Sequence, residues 1–402
     1  MLDRLTIERL EAAAAGGPVL IALSGGGDSL ALLHLMADRF GPARLRAAIV
    51  DHALRGGSEA DAARAQGAAT AIGVAAEIHT LSWDANTNRA QSAARDQRYR
   101  ALTDAARRHG ACVIATGHTR DDQAETVLLR AARDSGRRGL SGMRTFAPAP
   151  IWPEGRGLWL ARPLLSARRD DLRALLRERG APWIEDPANA NPNFARVRVR
   201  AVLSELQAEG LDAMRLAALA ERLAPHADAV DQAALALIES AVAFADDVAM
   251  IELAAWRGAE AVRERAFAVL IAAASGQPRP PAADRVEAEL ARTGAVTLGG
   301  ALLRRSRDAI RISRDPGALT GRADGAKPPA PLALAPDVEA VWDGRLAVTA
   351  REPGWSVLAE HGAPVLARGV ARRPIAAASP NWLLKQRVQH LLGRLNDSKP
   401  RE

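Results

Sequence analysis

The chain has 402 residues, 48% apolar and 25% charged, which makes it globular rather than disordered and long enough for two or three domains. Its net charge is +7 and its basic residues are nearly all arginine, so either a polyanionic partner such as nucleic acid or a general compositional preference for arginine explains the balance. The one cysteine, Cys112, excludes intramolecular disulfides, paired-cysteine redox centres, cysteine-rich zinc sites and iron–sulfur clusters.

Cys112 lies in the apolar pattern 111–116, which predicts a buried, inert thiol in a reducing, cytoplasmic compartment. The first residues, MLDRLTIERLEAAA, are charged and helical, unlike a signal peptide. The long apolar stretch 232–258 is cut by Glu239, Asp246 and Asp247, so a soluble protein with no membrane partner is expected. A homodimer is left open.

From residue 17 to 120 short apolar runs alternate with helical patterns. Strands are predicted at 18–23, 45–50, 74–79 and 111–116, with helices at 28–40, 58–72 and 91–109. This alternation predicts an α/β catalytic domain with a parallel, Rossmann-like sheet, whose ligands bind at the carboxyl ends of the strands. A charged helix follows at 168–180 and an alanine-rich all-helical layer at about 204–275. Then come a hairpin at 295–313 turning at Gly299-Gly300 and a Gly- and Pro-rich linker at about 315–336. The expected domains are 1–203 (catalytic), 204–318 (helical, ending in the hairpin), a linker at 319–336, and a small module at 337–402.

The most informative stretch follows the first strand. Ser24-Gly25-Gly26-Gly27-Asp28-Ser29 separates an apolar run from the helical Leu30–Met36. It lacks the lysine of a P-loop and the spacing of a dinucleotide fingerprint. Glycines still let backbone N–H groups approach an anion, and the start of a helix adds the positive end of its dipole. Ser24 and Ser29 can donate hydroxyl hydrogen bonds. Asp28 beside a phosphate calls for a divalent cation, so it is a candidate magnesium ligand; alternatively it is a helix cap. At two further strand ends stand Asp51-His-Ala-Leu-Arg55 and Gly117-His-Thr-Arg-Asp-Asp-Gln-Ala-Glu-Thr126. Asp122 and Glu125 are three apart, on one helix face.

The pattern SGGxDS resembles the pyrophosphate loop of the N-type ATP pyrophosphatases, the PP-loop superfamily. That likeness implies a fold of the adenine-nucleotide α-hydrolase type, and a loop that holds departing pyrophosphate needs no lysine aimed at a γ-phosphate. A lone cysteine argues against the tRNA thiolases, and no glutaminase segment is present. Asp51–Arg55 is similar to the DHxLR motif of the tRNA(Ile)-lysidine synthetases, Ala94–Tyr99 to their ARxxRY, and Gly117–Thr126 to their GHxxDDQxET. Arg133–Met143 resembles their RGSGxxGLxGM, Arg162–Leu165 their RPLL, and Asp186, Asn189 and Arg196–Arg200 the close of their catalytic domain. The likeness is dense over 15–200 and weaker beyond, at Thr297–Gly300 and Trp342–Arg345. Val197 stands where the family has Asn, Asp134 departs slightly, and the tail after 374 matches nothing familiar.

The resemblance implies a tRNA-modifying ligase that uses ATP and Mg2+. It adenylates C2 of cytidine 34 in a minor isoleucine tRNA with a CAU anticodon and then attaches L-lysine, releasing AMP and pyrophosphate. Ser24, Gly25, Gly26, Gly27, Asp28 and Ser29 would bind ATP, with Asp51 a further contact, and Asp28, His118 and Asp122 would be catalytic. Asp121, Asp122 and Glu125 would select lysine, while Arg95 and Arg98 would contact lysine or ATP. Arg137, Arg138, Arg196, Arg198 and Arg200 would meet tRNA. Two alternatives are another PP-loop enzyme acting on a small molecule and a tRNA-binding module with a decayed nucleotide site.

Overall fold

The stretch 18–23 has no polar side because it has no exposed face. As β1 (Val19–Ala22) it runs through the middle of a six-stranded sheet, each residue 3% exposed or less. The structure, a computed structural model, describes residues 1–53, 55–83, 91–133, 135–185, 195–321, 328–378 and 380–393. Leu54, Asp134, Asp186, Asn189 and the tail beyond 393, all read in the sequence, lie outside these residues.

In the sheet, β1 pairs in parallel with β2 (Leu45–Asp51) and β4 (Val113–Thr116), Ile21 lying opposite Ala47 and Ala115. Beyond β2 lies β3 (Ala75–Thr80). Beyond β4 lie β6 (Trp159–Ala161) and, antiparallel at the edge, β5 (Phe146–Pro148). The helices of this part are α1 (Arg4–Ala14), α2 (Gly27–Phe40), α3 (Ser58–Ala71), α4 (Gln91–Arg108), α5 (Arg120–Ala131), α6 (Arg137–Leu140) and α7 (Arg169–Glu178). Val19 and Ile21 join Leu30 and Leu33 of α2, Ala65 of α3, and Leu172 and Leu176 of α7 in one core. Leu20 and Ala22 join Tyr99, Leu102 and Ala105 of α4 in another. The chain runs outward from β1 through β2 to β3, then crosses back to place β4 on the other side of β1. The loops after β1 and β4 therefore diverge and leave a crevice at their carboxyl ends. Cys112 precedes β4 and is exposed, not buried, because the apolar strand begins two residues later than its pattern.

Two helices follow, α8 (Ala195–Ala208) and α9 (Ala213–Ala241). Leu216 and Ala220 of α9 pack on Ala124 and Val127 of α5. The chain divides into two compact units, 1–228 and 229–402, and the division falls within α9.

The second unit is not the all-helical layer expected up to residue 275. A hairpin of β7 (Val242–Ala245) and β8 (Val248–Glu252) interrupts it, turning at Asp246 with φ at 50°. The aspartates that break the apolar run thus mark a turn, since Asp tolerates the left-handed region. After α10 (Glu260–Ser275) and α11 (Val286–Thr293) come β9 (Ala295–Leu298), β10 (Ala301–Arg305) and β11 (Ala309–Arg314), and the expected turn lies at Gly299 and Gly300. The five strands form one antiparallel sheet in the order β7–β8–β11–β10–β9. Its inward residues, among them Ile251, Leu303 and Ile312, pack against α10.

The stretch read as a linker carries α12 (Pro316–Thr320), whose Leu319 is buried, and β12 (Leu332–Ala333). The remaining strands are β13 (Ala340–Trp342), β14 (Leu346–Val348), β15 (Ser356–Glu360), β16 (Ala363–Arg368), β17 (Ala371–Pro374) and β18 (Asn381–Trp382). They make two small sheets, β12–β15–β16–β17 and β13–β14–β18, around Trp342, Leu346, Trp355 and Val357. The last helix, α13 (Leu384–Leu391), returns to the α10 core through Leu384 and Val388.

One buried ion set ties these layers together. Asp343 Oδ2 accepts from Arg314 Nε at 3.0 Å and from Arg345 Nε at 2.8 Å, while Oδ1 accepts from Arg314 Nη2 at 3.0 Å. All three side chains are 9% exposed or less. Asp343→Asn, which keeps a residue tolerant of the φ of 51° found there, leaves two buried guanidiniums short of charge. It should cost about 3–5 kcal/mol in urea unfolding of the full chain, and a loss below about 1 kcal/mol would show the set is not needed.

Candidate active site

After β1 the chain turns through three glycines into α2. Gly25 sits at φ +80°, and a Cβ there would lie 2.5 Å from Ile184 Cδ1. Gly26 caps α2 in an extended conformation with no side-chain hydrogen bond. The first amides of α2 thus face outward at the positive end of the helix, without a competing side-chain oxygen. Ser29 Oγ closes the turn on itself, accepting from Ser24 N at 3.1 Å and donating to Gly26 O at 2.9 Å. Gly117, after β4, lies against this turn: a Cβ there would be 2.8 Å from Asp28 O and 2.9 Å from Ser29 N.

A pocket of about 340 Å³ opens at this junction. It is lined by the glycine loop, by Thr116, Gly117 and His118, and by residues of α4, α5, α7, α8 and the segment 183–185.

The acids of α5 are partly structural and partly exposed to this space. Thr119 and Asp122 form a reciprocal cap at the start of α5: Asp122 Oδ2 accepts from Thr119 N at 2.8 Å and from Thr119 Oγ1 at 3.0 Å. Its other oxygen, Oδ1, accepts from Arg169 Nη2 at 3.1 Å. Arg169 also donates from Nε to Asp28 Oδ2 at 3.0 Å, and its Nη1 lies 3.8 Å from Glu125 Oε1. Glu125 is 1% exposed; Oε1 accepts from Arg200 Nε at 2.6 Å, while Oε2 is buried with no hydrogen-bond partner among the described residues. Asp121 accepts from the backbone N of Arg169 at 2.9 Å and does not line the pocket.

Two opposed electrostatic settings follow. Burial pushes the Asp28 carboxyl above its ordinary range, and Arg169 opposes that push. Burial also works against the charge of Arg169, but Asp122, Asp28 and Glu125 outweigh it and hold the guanidinium above its ordinary value. On the other side, burial first, then Arg162, Arg98, Arg196 and Arg95, hold His118 well below the usual imidazole range, so it is neutral at pH 7. His118 Nδ1 lies 2.8 Å from Thr116 Oγ1, which donates to Ala161 O at 3.4 Å.

The pocket therefore brings together Ser24, Gly26, Gly27, Asp28, Ser29, Arg98, His118, Asp122, Arg196 and Arg200 from the sequence reading, while Glu125 stands behind it on Arg169 and Arg200. Residues 195–208 are a helix, so Arg196 and Arg200 share a face and turn inward, and Arg198 is exposed elsewhere. Asp51 is buried at the end of β2, where Oδ1 accepts from Ala53 N at 2.9 Å, and is not among the lining residues. Arg95 is exposed over the ring of Tyr99, 5.0 Å from its centroid, and Arg137 and Arg138 are exposed on α6. The sequence reading missed Arg169, Trp183 and Ile184. One signal was available for Arg169, the first residue of a helix, where the dipole disfavours a cation and a compensating acid is expected.

Among the described residues no group of three or more His, Cys, Asp or Glu is placed to hold a metal ion. Asp28 at the mouth of the glycine loop still fits magnesium, which takes one or two carboxylates and completes its shell with phosphate oxygens and water.

Residues 4–206 match the PP-loop domain. Over 312 residues the chain is 37% identical to the tRNA(Ile)-lysidine synthase of Hyphomonas neptunium, covering 75% of this chain and 83% of that protein. The chain belongs to the tRNA(Ile)-lysidine synthase family. Similar relatives of that family are the protein of Caulobacter vibrioides, 36% identical over 94% of this chain and 85% of its own, and that of Methylobacterium nodulans, 39% identical over 75% and 91%. The family match runs through every element that lines the pocket.

Two outcomes test this geometry. Gly117→Ala should lower unfolding free energy by about 1–3 kcal/mol, because backbone must move to admit the methyl; an unchanged urea midpoint would contradict the contact. In the unfolded chain His118 titrates near 6.5 and takes up a proton that the folded chain refuses. Its contribution to stability is therefore present above that pH and lost as pH falls through 6.5 toward the depressed native value. The drop in urea midpoint between about pH 7 and about pH 5 should be smaller in His118→Gln than in wild type, and equal drops would refute the shift.

Proposed function

We infer that the chain is an ATP-dependent ligase that adenylates C2 of cytidine 34 in an isoleucine tRNA with a CAU anticodon and replaces the adenylate with L-lysine. The observation that carries this reading is one pocket shared by an uncapped helix start, a neutral histidine and Asp122, with Glu125 standing behind them on Arg169 and Arg200. The outward amides of Gly27, Asp28 and Ser29 suit the pyrophosphate that leaves ATP, with the Ser24 hydroxyl beside them. Magnesium held by Asp28 would supply charge neutralisation at those phosphates. Attack of the cytidine C2 oxygen on the α-phosphate converts a poor leaving group into AMP.

The neutral His118 ring stands where the base enters, and Arg98 beside it offsets negative charge developing on the α-phosphate. In the second step the ε-amine of lysine attacks C2 and AMP departs. Glu125 Oε2 is the acceptor that Arg169 and Arg200 leave unfilled, and together with Asp122 it supports selection of an ammonium group. Arg137, Arg138 and Arg198, exposed on α6 and α8, are the proposed phosphate contacts for tRNA. No helix of the described residues is long and apolar enough to cross a membrane, and we place the enzyme in the cytoplasm.

Incubation with ATP, magnesium, L-lysine and the CAU isoleucine tRNA should add one lysine, less one water, to a single cytidine, read by mass spectrometry of nuclease digests; unmodified cytidine would refute the reading. Asp28→Ala should slow pyrophosphate release at least about 100-fold while tRNA affinity stays within about twofold. Release at the wild-type rate would remove Asp28 from the chemistry.

A further inference from the structure

Arg169 reaches three carboxylates that come from two different helix starts. Each nitrogen of its guanidinium faces a different one: Nε meets Asp28 at 3.0 Å, Nη2 meets Asp122 at 3.1 Å, and Nη1 lies 3.8 Å from Glu125. Its backbone is pinned as well, since Arg169 N donates to Asp121. The side chain is 20% exposed, and it carries positive charge at the end of α7 where the helix dipole opposes it. Only the acids can repay that opposition. The same acids form no metal-binding group among the described residues, although Asp28, Asp122 and Glu125 all surround one point. That point is held by the guanidinium.

We propose that Arg169 is the resident cation of the nucleotide-free site. It is a positioning residue that keeps Asp28 turned toward the α5 acids and releases Asp28 when a metal–nucleotide complex arrives. The inference rests on reading Asp28 as the carboxylate on the metal side. A bare divalent ion must displace a guanidinium held by three acids and gains only one or two protein ligands in return. The same ion on a triphosphate brings its own oxygen ligands, so it can take Asp28 while Arg169 stays on Asp122 and Glu125. Arg169 thus makes metal binding depend on nucleotide, and it links the phosphate end of the pocket to the acid pair.

The probe is Mn2+ alone, titrated into the full chain at about pH 8 and followed by electron paramagnetic resonance. Arg169→Met should bind one Mn2+ at least about tenfold more tightly than wild type, because a unit charge a few ångströms from the ion is gone. Arg169→Lys, which keeps the charge, should stay within about twofold of wild type. Adding Asp28→Asn to Arg169→Met should abolish the gain. Equal affinity in wild type and Arg169→Met overturns the proposal, and so does an equal gain in Arg169→Lys, which would trace the effect to lost geometry. If Arg169→Met does not fold, wild type alone decides: the Arg169 Nε–H resonance should shift when Mg2+ and a non-hydrolysable ATP analogue are added together, and its constancy overturns the proposal. Failure of lysine transfer to tRNA would leave these metal measurements standing, and their failure would leave the transfer assay standing.

Discussion

At Gly117 one stretch of backbone lies directly on another, with no room for a methyl group between its Cα and the Asp28 carbonyl. The chemistry of the first unit depends on that contact. It sets the turn after β4 against the first turn of α2, so that His118 and the capped start of α5 share a pocket with the glycine loop. The contact exists because β1 and β4 are parallel neighbours in the sheet, so that their carboxyl ends lie side by side. Burial of both faces of β1 fixes those strands and leaves only their carboxyl ends available for function.

The ionisable groups around this junction are sorted by sign. Asp28, Asp122 and Glu125 gather about Arg169 and Arg200, and a second set of arginines, Arg98 and Arg162, surrounds His118. The first set holds a cation more firmly than water would; the second keeps an imidazole uncharged. Both effects come from the same removal of solvent, which penalises an isolated charge and strengthens a paired one.

Much of this was legible in the residues. The apolar runs located β1, β2, β3 and β4 within a residue or two, and β1 and β4, buried at every position, leave no ambiguity of side. The spacing of Asp122 and Glu125 placed them on one helix face, and both meet Arg169. Arg169 itself was not legible, since it approaches Asp28 from 141 residues away in sequence and no local period reports such a pairing. Arg196 and Arg200 read as surface contacts because their alternation with valine hid a helical i,i+4 pair. The β7–β8 hairpin was hidden by alanine, which sits in the run on either side of the turn and favours neither period strongly. Cys112 shows the limit of boundary reading, where one residue decides between core and solvent.

The core of the second unit closes late. Its central helix, α10, spans residues 260–275, but Leu384, Val388 and Leu392 complete the packing around it. The first unit needs nothing later than residue 184 to bury both faces of its sheet. During synthesis the nucleotide-binding half can therefore settle while about 200 residues remain to be added. The other half must wait, with α10 lacking part of its cover, until α13 has been translated.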